Sequence, residues 1–420
     1  MRRAARERAE DRTGAMATQA DRDKFHKIDA VIFDMDGVIT GEAEYWSAAD
    51  HTVLELLYSK QFVGLIDDTM LSVLHKSGAP VAFEHFVSPA FIALLRNNGI
   101  NTNWDLAYFS FALCLIELIS EAEPKGDVEA LFASAFAPET LGVFGAMLTE
   151  RRKTMEKMDS LGAYFMSFVR KRLKEEAANG GADDPAKRAA AFVGHVNAWR
   201  LERTGLNAPA FERRGPLWDL VVSLFQERYL GDLLYLKDND KRISNIPKLG
   251  MIQYEAPVIP LGGILSGLSL LKEAGMKFGI ATGRPYDEIM IPLKSWGLYH
   301  FFDPRHISTH REIHEAERHL SEQGRPASIA KPHPYVYLRA IYPDASIDEL
   351  LNMKMPLPEE TGEKTLVVGD SLSDLIAART MGVRSAVVLT GIKSLEAVEQ
   401  MRALNPDFIL EDVSRFEDLF

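Results

Sequence analysis

Asp34 and Asp36 stand one residue apart at the end of an apolar run, Ala30-Val31-Ile32-Phe33, and Gly37 follows them. The run has the length and composition of a fully buried parallel strand. A buried strand that ends in two acids carries a desolvation problem, which a metal ion, proton sharing or a solvated loop would relieve. Taken alone, the segment also reads as a strand running into an Asp/Gly turn. Thr282, Lys331 and Asp370 recur far along the chain at comparable junctions. Asp374 lies four residues after Asp370, which on a helix puts both acids on one side.

Together these side chains suit phosphoryl transfer. Carboxylates gathered at one point repel each other unless a cation neutralises them, and hard oxygen donors of this kind suit Mg²⁺. A carboxylate can attack phosphorus and form an aspartyl-phosphate. Lys331 can offset the developing negative charge, assisted by backbone N–H groups at a helix start. Thr282 can hydrogen-bond a phosphate oxygen. Asp36 can carry a proton to the leaving oxygen and later take one from water. Plainer readings exist for two of the elements. Asp370 and Asp374 suit a helix N-terminal cap pair, and Lys331 suits a surface lysine ahead of a Pro-initiated helix.

The elements that must position these residues are legible as a repeating pattern. Phe278-Gly279-Ile280-Ala281 leads into Thr282-Gly283-Arg284-Pro285, Thr365-Leu366-Val367-Val368 into Gly369-Asp370-Ser371, and Ser385-Ala386-Val387-Val388-Leu389 into Thr390-Gly391. Helical patterns lie between them over residues 264–274, 335–341 and 372–381, the first and last closed by Gly275 and Gly382. Alternating strand and helix predicts an α/β fold, a Rossmann-like doubly wound parallel sheet, with ligands at the carboxyl ends of its strands. Residues 41–255 differ: long helical patterns at 104–122, 148–177, 185–203 and 209–229, and little strand signal. The expected organisation is a core of residues 24–40 and 256–420, interrupted by a large, mostly α-helical cap over 41–255. The cap leaves from the loop after Asp34 and Asp36, so it is expected over the carboxyl end of the sheet as a lid. The basic run Arg151-Arg152-Lys153 and residues 170–176 read as solvated helix faces.

Bulk properties bound the partners. The chain has 420 residues and a formal net charge of -12, which disfavours a general nucleic-acid role. Cys114 is the only cysteine, so no disulfide can form within the chain, which fits a reducing compartment. No apolar run approaches the roughly 20 residues that span a bilayer. Residues 1–13 mix Arg with Glu7, Glu10 and Asp11 and resemble neither a secretory signal nor a transit peptide. Residues 1–23 are read as a mobile tail, with Met16 a second candidate start. A cytoplasmic protein with no membrane partner is the expectation; the oligomeric state is not legible.

Asp34-Met35-Asp36-Gly37-Val38, Thr282-Gly283-Arg284, Lys331-Pro332 and Gly369-Asp370-Ser371-Leu372-Ser373-Asp374 resemble the four ordered motifs of the haloacid dehalogenase (HAD) superfamily. They are most similar to its phosphatase branch, with a helical cap inserted after the first motif. The resemblance covers the α/β core, a little under half of the chain. It implies Asp34 as nucleophile and Mg²⁺ ligand, and Asp36 as general acid/base and backbone-carbonyl ligand. It implies Thr282 and Lys331 as holders of the phosphoryl group, with Gly283 offering its N–H. Asp370 would ligate Mg²⁺, and Asp374 would support it directly or through water. Arg284 is read either as a phosphate contact or as half of a salt bridge. The sequence departs from the compact family pattern in its long cap and in extra charged helix over residues 311–323. Neither touches the motif residues, but both bear on substrate choice.

The function expected is hydrolysis of a small phosphomonoester, a sugar phosphate or similar metabolite, through an aspartyl-phosphate. Asp36 separates this from a dehalogenase, whose branch lacks the second acid. A phosphomutase would share the chemistry. A phosphonate hydrolase would need a lysine soon after the first motif, and none stands between Thr40 and Lys60. A catalytically idle interaction protein is the alternative from another class. Histidines over residues 300–319 could in principle hold zinc, but read as a solvated helix. Tyr45, Trp46 and His51 could reach the site from the cap, but read as cap core.

Overall fold

The computed structural model describes residues 18–65, 86–100, 102–122, 125–133, 136–148, 185–391 and 395–420. The chain divides into two compact units. One comprises Met1–Glu42 with Glu255–Phe420, and the other Ala43–Tyr254.

The first unit is built on a six-stranded parallel sheet. Its strands are β1 (Ala30–Phe33), β2 (Lys277–Ala281), β3 (Ile307–Ser308), β4 (Thr365–Gly369), β5 (Arg384–Val388) and β6 (Phe408–Leu410), in spatial order β3-β2-β1-β4-β5-β6. β1 is central, with Phe33 opposite Ile280 on one side and Val368 on the other. Its residues alternate between two cores, as the two-residue period of a strand requires. Val31 and Phe33 pack with the helix Leu261–Glu273 through Ile264, Leu268 and Leu271, and with the carboxyl-terminal segment through Val413 and Phe416. Ile32 packs on the opposite face with Val336, Leu338, Ala377 and Met381, from the helices Tyr335–Ile341 and Leu372–Met381. The sheet is thus helix-covered on both faces, the doubly wound α/β architecture expected from the strand–helix alternation.

Two strands escaped the sequence reading. Ile307–Ser308 is only two residues long. Phe408–Leu410 has an exposed central Ile409, so it lacks the continuous apolar run of its neighbours. At the amino-terminal side, Gln19–Phe25 is helical, capped by Thr18 and with Phe25 fully buried. The later part of the segment expected as a tail is therefore helix in the structure, because Phe25 stacks 5.9 Å from Phe416. Residues 1–17, Met16 among them, lie outside the described residues.

The second unit is helical in its described residues. Its longest helices are Ala43–Tyr58, Asn103–Ser120, Pro185–Thr204 and Pro216–Leu230. The expected helix over 209–229 divides into a short 3₁₀ turn, Pro209–Phe211, and Pro216–Leu230. Gly215-Pro216 starts a new helix at its first position, where proline is tolerated. The expected helix over 148–177 and the basic runs within it lie outside the described residues, apart from Leu148. Asn103–Ser120 is long and apolar enough to cross a membrane by length and composition, but 83% of it is buried inside the unit. Tyr45 stacks on Tyr229 at 4.2 Å, and His51 Nδ1 lies 2.8 Å from the Ser47 carbonyl of its own helix. Glu55, fully buried, bridges Arg228 and Lys248, and Lys248 also reaches Glu227 at 2.8 Å.

Candidate active site

Asp34 extends the central ladder by one hydrogen bond, its N–H donating to the Val368 carbonyl at 2.9 Å. The chain then turns sharply. The N–H groups of Val38, Ile39 and Thr40 all donate to the Met35 carbonyl, and Gly37 adopts φ +70. Only glycine takes that conformation without strain. The turn also admits no side chain. A Cβ on Gly37 would lie 2.1 Å from Asp370 Oδ2, and one on Gly391 would lie 1.5 Å from the same oxygen. The Asp370 carboxylate therefore rests in a cradle between two glycine backbones. Thr390 closes the cradle by donating its hydroxyl hydrogen bond to the Gly37 carbonyl.

Lys331 Nζ lies 2.8 Å from Asp34 Oδ1 and 2.9 Å from Asp374 Oδ1. Asp374 is completely buried and oversatisfied for a simple helix cap. Its Oδ1 also accepts from the Tyr337 hydroxyl at 2.6 Å. Its Oδ2 accepts from the Ser371 backbone N–H at 3.1 Å and hydroxyl at 2.7 Å. Ser371 is the N-cap and Asp374 the N3 residue of a capping box. The capping reading and the site reading are thus both true of Asp374: one oxygen fixes the helix, the other fixes Lys331. The Lys331 ammonium also sits over the Tyr337 ring, 4.9 Å from its centre.

These contacts set the charge states. Burial lifts the Asp34 carboxyl to about 7; Lys331 opposes the rise, and the nearby Asp374 and Asp36 carboxylates add to it. Burial would lower the Lys331 ammonium, but Asp34 and Asp374 more than reverse this and hold it above the ordinary lysine range. Burial acts to raise Asp374 as well, yet Lys331, Tyr337 and Ser371 bring it below the usual carboxylate value.

One carboxylate oxygen from each of Asp34, Asp370 and Asp374 lies within 4.8 Å of the others. Among the described residues this is the one group of acids, histidines or cysteines that closes to such distances, so the histidines over 300–319 do not form one. An all-oxygen donor set with a carboxylate seated between glycine backbones fits a hard divalent cation.

Thr282 follows β2 at the same sheet edge and is buried, and its Oγ1 accepts from the Arg284 N–H at 3.2 Å. Gly283 has open space where a Cβ would stand. Arg284, expected either on phosphate or in a salt bridge, is buried and makes two ion pairs. Its Nε donates to Asp36 Oδ1 at 2.9 Å, and its Nη1 to Glu255 Oε1 at 2.7 Å. The structure thus brings Asp34, Lys331, Asp370 and Asp374 into one cluster, with Asp36 and Arg284 paired beside it. Tyr337, Ser371, Glu255 and Thr390 were not singled out by the sequence. Tyr337 stands six residues after Lys331, and nothing in its apolar helix marks its hydroxyl as directed at an acid.

Residues 328–416 match the HAD-hydrolase-like family. The sequence is 24% identical over 227 residues to a protein named probable phosphatase IndB from Dickeya dadantii, covering 53% of this chain and 84% of that one. It is 25% identical over 162 residues to the pyrophosphatase PpaX of Bacillus pumilus, covering 39% of this chain. There the match spans only 60% of the relative's length. An X-ray structure, Northeast Structural Genomics Consortium target ZR25, is similar at a TM-score of 0.69 and 26% identity. That likeness covers 93% of this chain and 97% of the other. With the parallel sheet and the four motifs at its carboxyl edge, the chain resembles HAD-like hydrolases, and the family match itself lies in residues 328–416.

Proposed function

We propose that this chain is a Mg²⁺-dependent phosphatase that hydrolyses a small phosphomonoester through an aspartyl-phosphate on Asp34. The observation that carries the reading is the Lys331 ammonium held between Asp34 and Asp374. It puts a fixed positive charge beside a carboxylate at the end of the central strand. That is the arrangement needed where a nucleophile meets an anionic phosphoryl group.

In this reading an Asp34 oxygen attacks phosphorus and the bond to the ester oxygen breaks. The electron pair stays on the leaving oxygen, which takes a proton from Asp36. Water then attacks the phosphorus, gives its proton to Asp36, and Asp34 is released with inorganic phosphate. Lys331 and Thr282 hold the phosphoryl oxygens during both steps, and Gly283 offers its N–H to the same oxygens. Asp34, Asp370 and the Asp36 carbonyl would hold Mg²⁺, with Asp374 supporting it directly or through water. When bound, the ion supplies positive charge that keeps Asp34 ionised and draws charge from the phosphoryl group.

The relatives' names support the reaction class and leave the ester open. A small metabolite is the substrate class we propose. The test is phosphate release from p-nitrophenyl phosphate, a panel of sugar phosphates and inorganic pyrophosphate, with and without Mg²⁺. Release that needs Mg²⁺ and disappears in Asp34→Asn supports the reading. Full activity in that variant, or interconversion of sugar phosphates without phosphate release, overturns it.

A further inference from the structure

The contacts of Arg284 go beyond the phosphoryl site. Asp36 Oδ1 accepts from Arg284 Nε at 2.9 Å, from Nη2, and from the Thr40 hydroxyl at 3.3 Å. Asp36 Oδ2 takes no hydrogen bond among the described residues. The Asp36 side chain is 26% exposed, whereas that of Arg284 is 3% exposed. One oxygen of the acid is therefore anchored and the carboxylate remains open to an incoming group.

The same guanidinium grips the two segments where the chain leaves and re-enters the sheet-bearing unit. Nη1 donates to Glu255 Oε1 at 2.7 Å, and Nη2 lies 3.4 Å from the Gly41 carbonyl. The two segments are themselves paired, Gly41 N–H to the Ala256 carbonyl at 2.9 Å and Val258 N–H to the Ile39 carbonyl at 3.0 Å. A planar fork with fixed donor directions transmits position between its partners in a way a single ammonium does not.

We propose that Arg284 is a positioning residue. It fixes Asp36 Oδ1, ties it to Glu255 and Gly41 on the paired linkers, and so presents Oδ2 as the oxygen that moves the proton. This rests on the phosphatase reading above. The consequence is specific: losing Arg284 impairs protonation of the leaving group more than attack by Asp34. In the first chemical step the P–O bond breaks, and Asp36 Oδ2 delivers one proton to the departing oxygen. A poor leaving group such as phenolate needs that proton, whereas p-nitrophenolate departs with little help.

The experiment is single-turnover cleavage of phenyl phosphate and p-nitrophenyl phosphate by the full chain with Mg²⁺. Wild type is compared with Arg284→Gln, Arg284→Lys and Glu255→Gln. The ratio of the phenyl to the p-nitrophenyl rate is expected to fall about 100-fold in Arg284→Gln, the scale of one general acid. Arg284→Lys and Glu255→Gln are expected to lower the ratio less, by about 3- to 10-fold, since each leaves one pairing. Glu255→Gln carries the test if Arg284→Gln does not fold. Equal loss on both esters, or a rise in KM shared by both, makes Arg284 a structural or phosphate-binding residue and overturns the proposal. If wild type cleaves neither ester nor any phosphomonoester, the phosphatase reading falls first; normal wild-type rates with unchanged ratios remove only the role of Arg284.

Discussion

Lys331 Nζ stands 2.8 Å from Asp34 Oδ1, although the two residues are almost 300 positions apart in the chain. The pairing is made by two neighbouring elements. Asp34 ends the central strand, and Lys331 precedes a helix packed on the same sheet through Val336 and Leu338. Asp374 holds the lysine from the other side at 2.9 Å. A charge fixed by two buried carboxylates needs little reorganisation when a phosphoryl group arrives, and such preorganisation is the larger part of electrostatic catalysis. Lys331→Met is therefore expected to lower kcat by about 10²- to 10³-fold, the usual scale for one electrostatic donor. Steady-state kinetics on the best ester from the substrate panel measures this, and a loss under tenfold would contradict the role given to Lys331.

Tyr337 steadies the same pair without meeting substrate in the proposed mechanism. Tyr337→Phe removes one hydrogen bond to the Asp374 carboxylate. Such a bond to a charged group contributes about 1.5 to 3 kcal/mol. A loss of about 4- to 10-fold in kcat is expected if roughly half of that appears in the transition state. KM and the Mg²⁺ dependence should stay close to wild type. An unchanged kcat would mean that Ser371 and Lys331 suffice to hold Asp374.

Gly391→Ala tests the seat of Asp370. The new Cβ would meet Asp370 Oδ2 at 1.5 Å, and the Gly37 backbone closes the other side of the cradle, so the carboxylate must swing away. The Mg²⁺ concentration for half-maximal activity is expected to rise by about 10- to 100-fold, the scale for disturbing the surroundings of a metal ligand. Titration of activity with Mg²⁺, with circular dichroism as the check on folding, reads it directly. A normal Mg²⁺ titration would show that Asp370 is not a ligand.

The helical unit has its own charge-sensitive element. Glu55 is fully buried and its carboxyl lies below the ordinary value of 4.5. Burial acts to raise it, but Arg228 and Lys248, with the Ser244 hydroxyl, outweigh burial. A depressed folded value gives stability that is complete above the unfolded value of 4.5 and is lost as pH falls through the folded one. Glu55→Gln leaves Arg228 and Lys248 undercompensated and is expected to cost about 3 kcal/mol near neutral pH. The variant should lose less further stability than wild type on acidification. Four of the five tryptophans, Trp46, Trp104, Trp199 and Trp218, belong to this unit and Trp296 to the other, so urea unfolding followed by tryptophan fluorescence reports mainly on it. Identical acid limbs in the two proteins would contradict this.

What was legible in the sequence follows from what periodicity encodes. The four long strands are continuous apolar runs ended by polar turns, and Tyr335–Ile341 and Leu372–Met381 have the helical bounds expected of them. Ile307–Ser308 is too short to show a period, and Phe408–Leu410 exposes its middle residue. Within the site, residue type and order pointed to Asp34, Lys331, Asp370 and Asp374. Direction was not encoded: nothing in the spacing told which way Arg284 would turn, or that Tyr337 would aim its hydroxyl at Asp374. Such contacts depend on how distant elements pack, and Glu255 pairs with Arg284 where the two linkers run side by side.

In the proposed mechanism Asp34 carries the phosphoryl group between the two steps. Acid quenching during turnover of the best ester with Mg²⁺, followed by mass spectrometry of the digested chain, measures it most directly. The expected result is one phosphoryl group on the peptide that contains Asp34, accumulating in wild type and absent from Asp34→Asn. A phosphoryl group on another residue, or continued hydrolysis by Asp34→Asn with none trapped, would contradict it.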